Sequence, residues 1–476
     1  MKVGLTAVGS YIPRYRLKRN LIGTAWERNF LKGEKSVANA DEDSLSMAVE
    51  AARNCLRLDD AERVDSVFFA SLTPPYAEKS HSSLLAVACG LKQSVFTADF
   101  GHSPKAGTSA LRAAIDAVLA GSAERALVSA AECPVAYPKS DQEQMAGDAA
   151  ASVLVGKESL IAELKGFYSV NNEILDLWRN TGERFAHNAE GRFASSKGYG
   201  TAVAAAIQGL LKQANIKAKD VSSIVLAAPD FTSSRSVIKQ FGFTPEQVAD
   251  PLLMQIGYCA SAQPLLQLAA VLEKSEPGDL ILLASYGTGS DAFLFQATDT
   301  VASCREGATV ASLLASGRQL GSYSRYLSFR GLIETVPGEP FRTFPSTAAY
   351  WRDAKSLLSL FGSKCKDCGT TATPIQRVCP GCGSVDRFVE VPLSGRKAKV
   401  FTYSIDNMAG RSDDPTVVQT VCEDADGTRY YMLMTDFDKE EVAIGMEVEF
   451  TFRNVYAGGN YNNYYWKCRP VRLGGK

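Results

Sequence analysis

Short apolar runs alternate with alanine-rich stretches of helical period from residue 1 to about 335. The runs at 64–70 (VDSVFFA), 125–131 (RALVSAA), 151–155 (ASVLV), 222–228 (SSIVLAA), 279–285 (DLILLAS) and 291–297 (DAFLFQA) are short and bounded by turn-forming residues, so they predict buried strands. The stretches 43–57, 104–120, 198–214, 235–241 and 262–274 predict helices. Strand and helix in alternation predict a layered α/β fold with helices on both sides of the sheets.

Two segments read as copies of one unit: 101–131, GHSPKAGTSALRAAIDAVLAGSAERALVSAA, and 257–285, GYCASAQPLLQLAAVLEKSEPGDLILLAS. Each runs from a glycine through a tight polar turn into a helix, then a turn and an apolar strand. Copies about 155 residues apart are too widely spaced for a solenoid. They predict an internally duplicated domain in which each half brings a strand-to-helix turn to a shared centre.

The pattern changes after about 300. Pro337, Gly338, Pro340 and Pro345 mark 336–346 as a linker. A helix is predicted over 347–361, with Trp351, Leu357, Leu358 and Phe361. From 389 onward, period-two runs such as KVFTYSI, RYYMLMTDF, EVEFTF and YYWKCRPV predict a small closed β-barrel. The organisation is therefore 1–335, a linker and helix over 336–361, a metal module over 362–388, and a barrel over 389–476.

Between the helix and the barrel stand Cys365, Cys368, Cys379 and Cys382, reading C-K-D-C, ten residues, C-P-G-C. Two facing C-x-x-C knuckles supply four thiolates to one tetrahedral ion. Gly369 and Gly383 follow the second cysteine of each knuckle, where a tight turn is needed. Zinc suits a structural ribbon with no other redox feature, and the spacing also suits iron. Four thiolates close the site, so the ion stabilises the fold and does not activate water.

The chain has 51 basic and 52 acidic residues in 476, a net charge of −1, and 46% hydrophobic residues. That balance argues against an electrostatic nucleic-acid binder and a polybasic membrane anchor. No apolar run approaches the roughly 18–20 residues of a membrane helix. The start, MKVGLTAVGSYIPRYR, reads as a strand and turn and not as a signal peptide. The seven remaining cysteines lack framework spacing, which suits reduced thiols in a cytoplasm.

The segments VGSYIPRYRLKRNLI, DLWRNTGERFAHNAEGRFASSKGY (176–199), GDAAASVLVG (147–156) and LILLASYGTGSDAFL (280–294) resemble the archaeal and bacterial 3-hydroxy-3-methylglutaryl-CoA synthases of the thiolase superfamily. The segment YWRDAKSLLSLFGSKCKDCGTTATPIQRVCPGCGS resembles the zinc-ribbon and OB-fold proteins that accompany thiolases in acyl-CoA complexes. The resemblance implies a duplicated thiolase fold with α/β/α/β/α layers, dimerisation, and an acyl-CoA ligand. It also implies a zinc ribbon, an OB-fold barrel and a thiolase-type partner subunit.

The same resemblance implies that the family's catalytic positions are replaced. KAGT at 105–108 matches the segment after the nucleophilic cysteine, which puts Pro104 in the cysteine position. Ala227, two residues before Pro229, stands for the histidine, and Tyr258, after Gly257, for the asparagine. Leu72, between Ser71 and Pro75-Tyr76-Ala77, stands for the acid/base glutamate. Ser103 and Pro104 read as an ordinary helix start, with serine as N-cap and proline in the first helical position. Without thiolate and imidazole, acyl-enzyme chemistry is not expected in this chain. Two readings follow. The first domain is a pseudo-enzyme that completes an active thiolase-type partner, or it runs aldol or retro-aldol chemistry with no acyl-cysteine. In the second, Glu143, Tyr258 or His102 supplies the acid/base, and backbone N–H groups around Gly287, Thr288 and Gly289 an oxyanion site. Lys239 and the turn glycines Gly287 and Gly289 are the candidate CoA contacts. His187 reads as structural or solvated, and His81 as solvated or capping. Asp424, Asp426 and Gly427 read as a strand turn, and the aromatic run 456–466 as packing.

Overall fold

The computed structural model describes residues 2–56, 60–334, 346–410 and 415–472. All but the last residue of the predicted linker 336–346 lies outside them. The chain divides into two compact units: Met1–Ala38, Asp43–Ala86 and Leu91–Tyr326, and then Asn39–Glu42, Val87–Gly90 and Leu327–Lys476.

The first unit is built on a nine-stranded mixed sheet. Its order is Ser223–Leu226, Leu280–Tyr286, Gly289–Ala297, Ala162–Asn171, Gly4–Tyr11, Ala149–Gly156, Arg125–Glu132, Val64–Ala70 and Phe96–Phe100. The expected duplication is visible in that order. Arg125–Glu132 pairs parallel with Val64–Ala70 and antiparallel with Ala149–Gly156. Leu280–Tyr286 likewise pairs parallel with Ser223–Leu226 and antiparallel with Gly289–Ala297. Within the sheet the two halves pair at Gly4–Glu163 and Leu5–Ala162. Parallel pairs need crossover connections, and helices supply them. Helices Ala106–Ala120 and Gln263–Leu272 fall at corresponding places in the two copies. They approach closely at their starts. A Cβ on Gly107 would lie 2.2 Å from the Ser261 carbonyl oxygen, so only glycine fits. Among the described residues no helix is long and apolar enough to cross a membrane.

In the second unit, the helix expected over 347–361 is two short pieces, Thr347–Arg352 and Ala354–Leu357. The backbone turns left-handed at Leu360 (φ +50°), and Phe361 opens a strand. Trp351 is 80% exposed, so it anchors no apolar face that would hold one continuous helix. The strands Phe361–Cys365, Thr371–Ala372 and Phe388–Pro392 form the sheet that carries the cysteines. A five-stranded antiparallel sheet follows, in the order Arg429–Leu433, Val417–Asp424, Lys397–Asp406, Glu447–Gly458 and Tyr461–Pro470. Its edges meet at a parallel bridge between Met434 and Cys468, which rolls the sheet on itself. Trp466 is buried inside and donates to the Leu358 carbonyl at 2.9 Å, and Phe452 stacks on Tyr464. The aromatic run thus packs, as expected. Asp424 accepts from the Asp426 and Thr428 amides and forms the expected turn.

Candidate functional site

The strand ends and helix starts of the two repeats bring four loops of the first unit together. The first follows Val64–Ala70. The Leu72 N–H donates to Glu132 Oε1 at 2.9 Å, and the Thr73 hydroxyl to Glu132 Oε2 at 2.9 Å. Ser261, at the second repeat's turn, also donates to Glu132 Oε1. Glu132 ends its strand fully buried, and burial pushes its carboxyl up to about 7 against the pull of those donors. A buried glutamate thus faces the backbone of Leu72. Its sequence context, the end of an apolar strand, carried no sign of this; only the packing of the two repeats creates it.

The second loop precedes helix Ala106–Ala120. Ser103 is not its N-cap, and Pro104 is not its first residue. The helix begins two residues later, after a turn closed by the Ala106 amide on the Ser103 carbonyl (2.9 Å). The Ser103 hydroxyl instead donates to the Gly287 carbonyl at 3.0 Å. A Cβ at Gly287 would sit 2.3 Å from Ser103 Oγ and 3.0 Å from Pro104 Cδ, which explains glycine there. Lys105 and Thr108 are tied to Asp291, at 3.1 and 3.0 Å. The Gly287 amide donates to the Gly289 carbonyl at 3.0 Å, so that donor of the expected oxyanion site is already engaged.

The third and fourth loops hold Tyr258 and Ala227. The Tyr258 backbone is clamped by Met145 and Gly147 (2.7 and 3.0 Å), and its phenol is pushed above the ordinary range by burial and the negative charge of Glu132. Cys259 beside it is fully buried, and burial and Glu132 hold its thiol protonated. Ala227 is buried, its amide on the Ala284 carbonyl.

The other candidates lie elsewhere. Glu143 is buried and accepts from the Tyr323 hydroxyl at 2.7 Å and the Lys139 amide at 2.8 Å. Burial raises its pKa, and both carboxyl oxygens are engaged. His102 is exposed with φ +66°, and Lys239 is exposed on helix Ser233–Phe241. His187 pairs with Glu183 at 3.0 Å and stacks on Trp178. His81 is buried and not solvated: its ring meets Asp99 at 2.9 Å, and Asp99 caps the helix that His81 begins.

In the second unit the Sγ atoms of Cys365, Cys368, Cys379 and Cys382 all lie within 4.8 Å of one another. Cys365 and Cys382 are 3.8 Å apart, and Cys368 and Cys379 3.5 Å. A tetrahedral ion with bonds of ~2.3 Å to sulfur holds its ligands roughly 3.8 Å apart, so the four sulfurs fit zinc. Gly369 and Gly383 both take φ +77°, which permits the knuckle turns.

Comparison with known proteins now bears on this arrangement. A hydroxymethylglutaryl-CoA synthase of Methanopyrus kandleri is 31% identical over 341 residues, 69% of this chain and 97% of that protein. One of Methanosarcina barkeri is 33% identical over 347 residues, 70% of this chain and 99% of that protein. The chain belongs to the hydroxymethylglutaryl-CoA synthase family. Among solved structures, an HMG-CoA synthase complexed with CoA superposes with a TM-score of 0.64 at 19% identity, covering 73% of this chain and 95% of that one. A curacin-pathway HMG synthase in complex with acetyl donor-ACP gives 0.62 at 17% identity, covering 83% and 100%. Residues 211–294 match the C-terminal domain of 3-oxoacyl-[acyl-carrier-protein] synthase III, and residues 352–386 the rubredoxin-like zinc ribbon of ChsH2. This synthase-family chain therefore combines a thiolase-fold unit with a zinc-ribbon module.

Glu132 yields a prediction here. Its folded pKa of about 7 lies above the usual carboxyl value, so the folded state binds this proton more tightly than the unfolded one. Its contribution is then fully present below about pH 4.5 and lost as pH rises through about 7, on the order of 3 kcal/mol. Glu132→Gln mimics the protonated carboxyl. In urea unfolding of the first unit at pH 5 and 8, the variant should lose less stability across that interval than the wild type. An equal loss in both would contradict this account of the site.

Proposed function

We propose that the first unit is an acyl-CoA-binding synthase-like domain that has given up acyl-cysteine chemistry. It completes an active thiolase-type or acyltransferase partner working on carbon–carbon bonds of CoA thioesters. The observation that carries this reading is Pro104 in the turn that leads into helix Ala106–Ala120. Proline packed on Gly287 stands where a thiolate would need the positive end of the helix, and Ala227 where it would need an imidazole. The buried Cys259 cannot replace that thiolate. Leu72 and Tyr258 complete the set of replaced positions.

CoA thioesters are the ligand class, supported by the CoA complex of the similar synthase. Lys239, Gly287 and Gly289 are the CoA-contact candidates on this reading. Domain limits are 1–335 for the thiolase fold, 336–361 for linker and helix, 362–388 for the zinc ribbon and 389–476 for an OB-fold domain. The ribbon holds structural zinc through its four cysteines. The first domain dimerises, the partner joins as a hetero-complex, and the assembly is cytoplasmic. The test uses the purified full chain with acetyl-CoA and acetoacetyl-CoA. CoA release should stay at the buffer level. Adding a thiolase-type subunit with an intact active-site cysteine should restore turnover that exceeds that subunit's own rate. Turnover by the chain alone, or a partner indifferent to it, contradicts the reading.

One observation favours a second reading, an aldol or retro-aldol enzyme with no acyl-enzyme. Glu132 holds a carboxyl near neutral pKa beside Leu72, the position of the family's acid/base glutamate. On that reading Glu132, and not Glu143 or His102, moves the proton. Turnover by the chain alone that disappeared in Glu132→Gln would establish it.

A further inference from the structure

His81 is 4% exposed at the start of helix His81–Ala88, and three elements hold its ring. Nδ1 lies 2.9 Å from Asp99 Oδ2 on strand Phe96–Phe100. Nε2 accepts the Tyr76 amide at 3.2 Å. The Phe69 ring, on strand Val64–Ala70, has its centroid 5.4 Å away. A nitrogen that accepts carries no hydrogen, so the ring is neutral and its one N–H donates from Nδ1 to Asp99.

These partners pull the ring in opposite directions. Asp99 favours the imidazolium. Burial alone would push the Asp99 carboxyl up, but the bonds from His81 and Ser82 outweigh it and hold the pKa at about 2, so the carboxylate stays charged. The Tyr76 amide tolerates only the neutral ring, since a proton on Nε2 turns two donors toward each other. The ring side is the anchored one. Asp99 also accepts the His81 and Ser82 amides at 2.7 and 2.8 Å, and those bonds survive protonation. The loop side is open, with Pro74 and residues 77–80 exposed. Among the described residues Asp99 is the charged group in contact with the ring, Tyr76 is the other titratable neighbour, and Glu78 and Lys79 of the loop face solvent.

The loop leads straight to the site. Pro74 and Pro75 separate Tyr76 from Thr73. Each proline fixes its φ, so a shift of Tyr76 is passed on to Thr73 and not absorbed between them. Thr73 and Leu72 are the loop's donors to Glu132, and the Cys133 amide holds Thr73 Oγ1 at 2.8 Å.

We propose that His81 is a positioning residue with an acid release. Its neutral ring holds the loop 71–80 on Glu132, and protonation at Nε2 frees the loop and loosens the donors on that carboxyl. The release works whatever ligand the first unit takes.

The test is hydrogen exchange of the full chain at pH 8 and pH 5, the interval in which histidines change charge, with intrinsic exchange rates divided out. Peptides spanning 71–80 should lose about tenfold in protection at pH 5, the worth of one hydrogen bond of about 1.4 kcal/mol. Those of Arg125–Glu132 should keep theirs. In His81→Gln the side-chain oxygen accepts from the Tyr76 amide and takes up no proton, so protection should be equal at both pH values. Glu132 also gains a proton in this interval, so Glu132→Gln is the control, and it should keep the wild-type loss. The chain has three histidines, so 15N-histidine NMR, with His102→Gln and His187→Gln for assignment, follows the His81 ring directly. It should show the Nδ1–H form at pH 8 and the imidazolium at pH 5, with the same midpoint as the loss of protection. That coincidence decides the matter if His81→Gln fails to fold. Equal protection at both pH values in the wild type, a loss that persists in His81→Gln or vanishes in Glu132→Gln, or separate midpoints would each overturn the proposal.

Discussion

Stripping zinc from the ribbon, or replacing Cys379 by serine, should unfold the segment 361–392 while the nine-stranded sheet stays folded. Between Phe361 and Pro392 only Gly362, Ser363 and Cys365 are buried, so this segment has almost no apolar core of its own. Its three strands are short, and two of its turns rest on glycines at φ +77°. A module this poor in buried surface depends on its metal, whose apparent binding free energy in zinc-finger peptides is about 10–16 kcal/mol. Hydrogen exchange by mass spectrometry checks this. Amides such as Lys364 and Cys365 should lose protection with a chelator, whereas those of Arg125–Glu132 should keep theirs. One zinc per chain should leave in parallel. Protection unchanged after complete metal loss would show that the ribbon folds without its ion.

Arg453→Met should destabilise the second unit by about 3–5 kcal/mol, the usual cost of breaking a buried charge network by removing one side. The Arg453 guanidinium is fully buried. It pairs with Asp41 at 3.2 Å, Glu42 at 2.7 Å and Asp436 at 2.7 Å, all within that unit. Lys467 adds a second cation at 2.9 Å from Asp41. Methionine fills much of the volume, so the loss reflects carboxylates left without a counter-charge. Adding Asp41→Asn and Asp436→Asn to Arg453→Met should recover part of the loss, measured as the urea midpoint of the second unit. Burial alone would push the Asp41 carboxyl up, but Lys467 and Arg453 outweigh it and hold the pKa at about 2. A depressed carboxyl stabilises above its unfolded value of about 3.8, and this contribution is lost as pH falls toward 2. A triple variant no more stable than Arg453→Met would show that packing, and not charge, sets the loss.

What could be read from the chain was whatever repeats or patterns locally. Strand 64–70 was expected as found, and strand 125–131 to within one residue, because apolar β-rich runs between turn residues have few other solutions. The duplication was legible because both copies keep the glycine-turn-helix-strand order, and the knuckles because metal spacing is written along the sequence. The misses share one cause, contacts between residues far apart in sequence. Glu132 is an acidic strand end until Ser261, 129 positions later, donates to it. Ser103 and Pro104 follow the local rule for a helix start, yet Gly287 claims the serine hydroxyl and the helix starts later. The helix expected over 347–361 breaks at Asp353 and ends at Leu357, and Leu360 turns left-handed before the ribbon strand.

The proposal that this synthase-family chain has no acyl-cysteine route is tested most directly by intact mass spectrometry of the purified full-length protein after incubation with acetyl-CoA and acid quench. On that proposal, with Pro104 in the turn before the helix, Ala227 in the imidazole position and Cys259 buried and protonated, the protein should retain its unmodified mass. The Pro104→Cys variant should likewise gain little acetyl group in the absence of the histidine. An acetyl adduct on the wild-type chain, formed at a rate comparable to turnover and mapped to a residue of the first unit, would contradict the account.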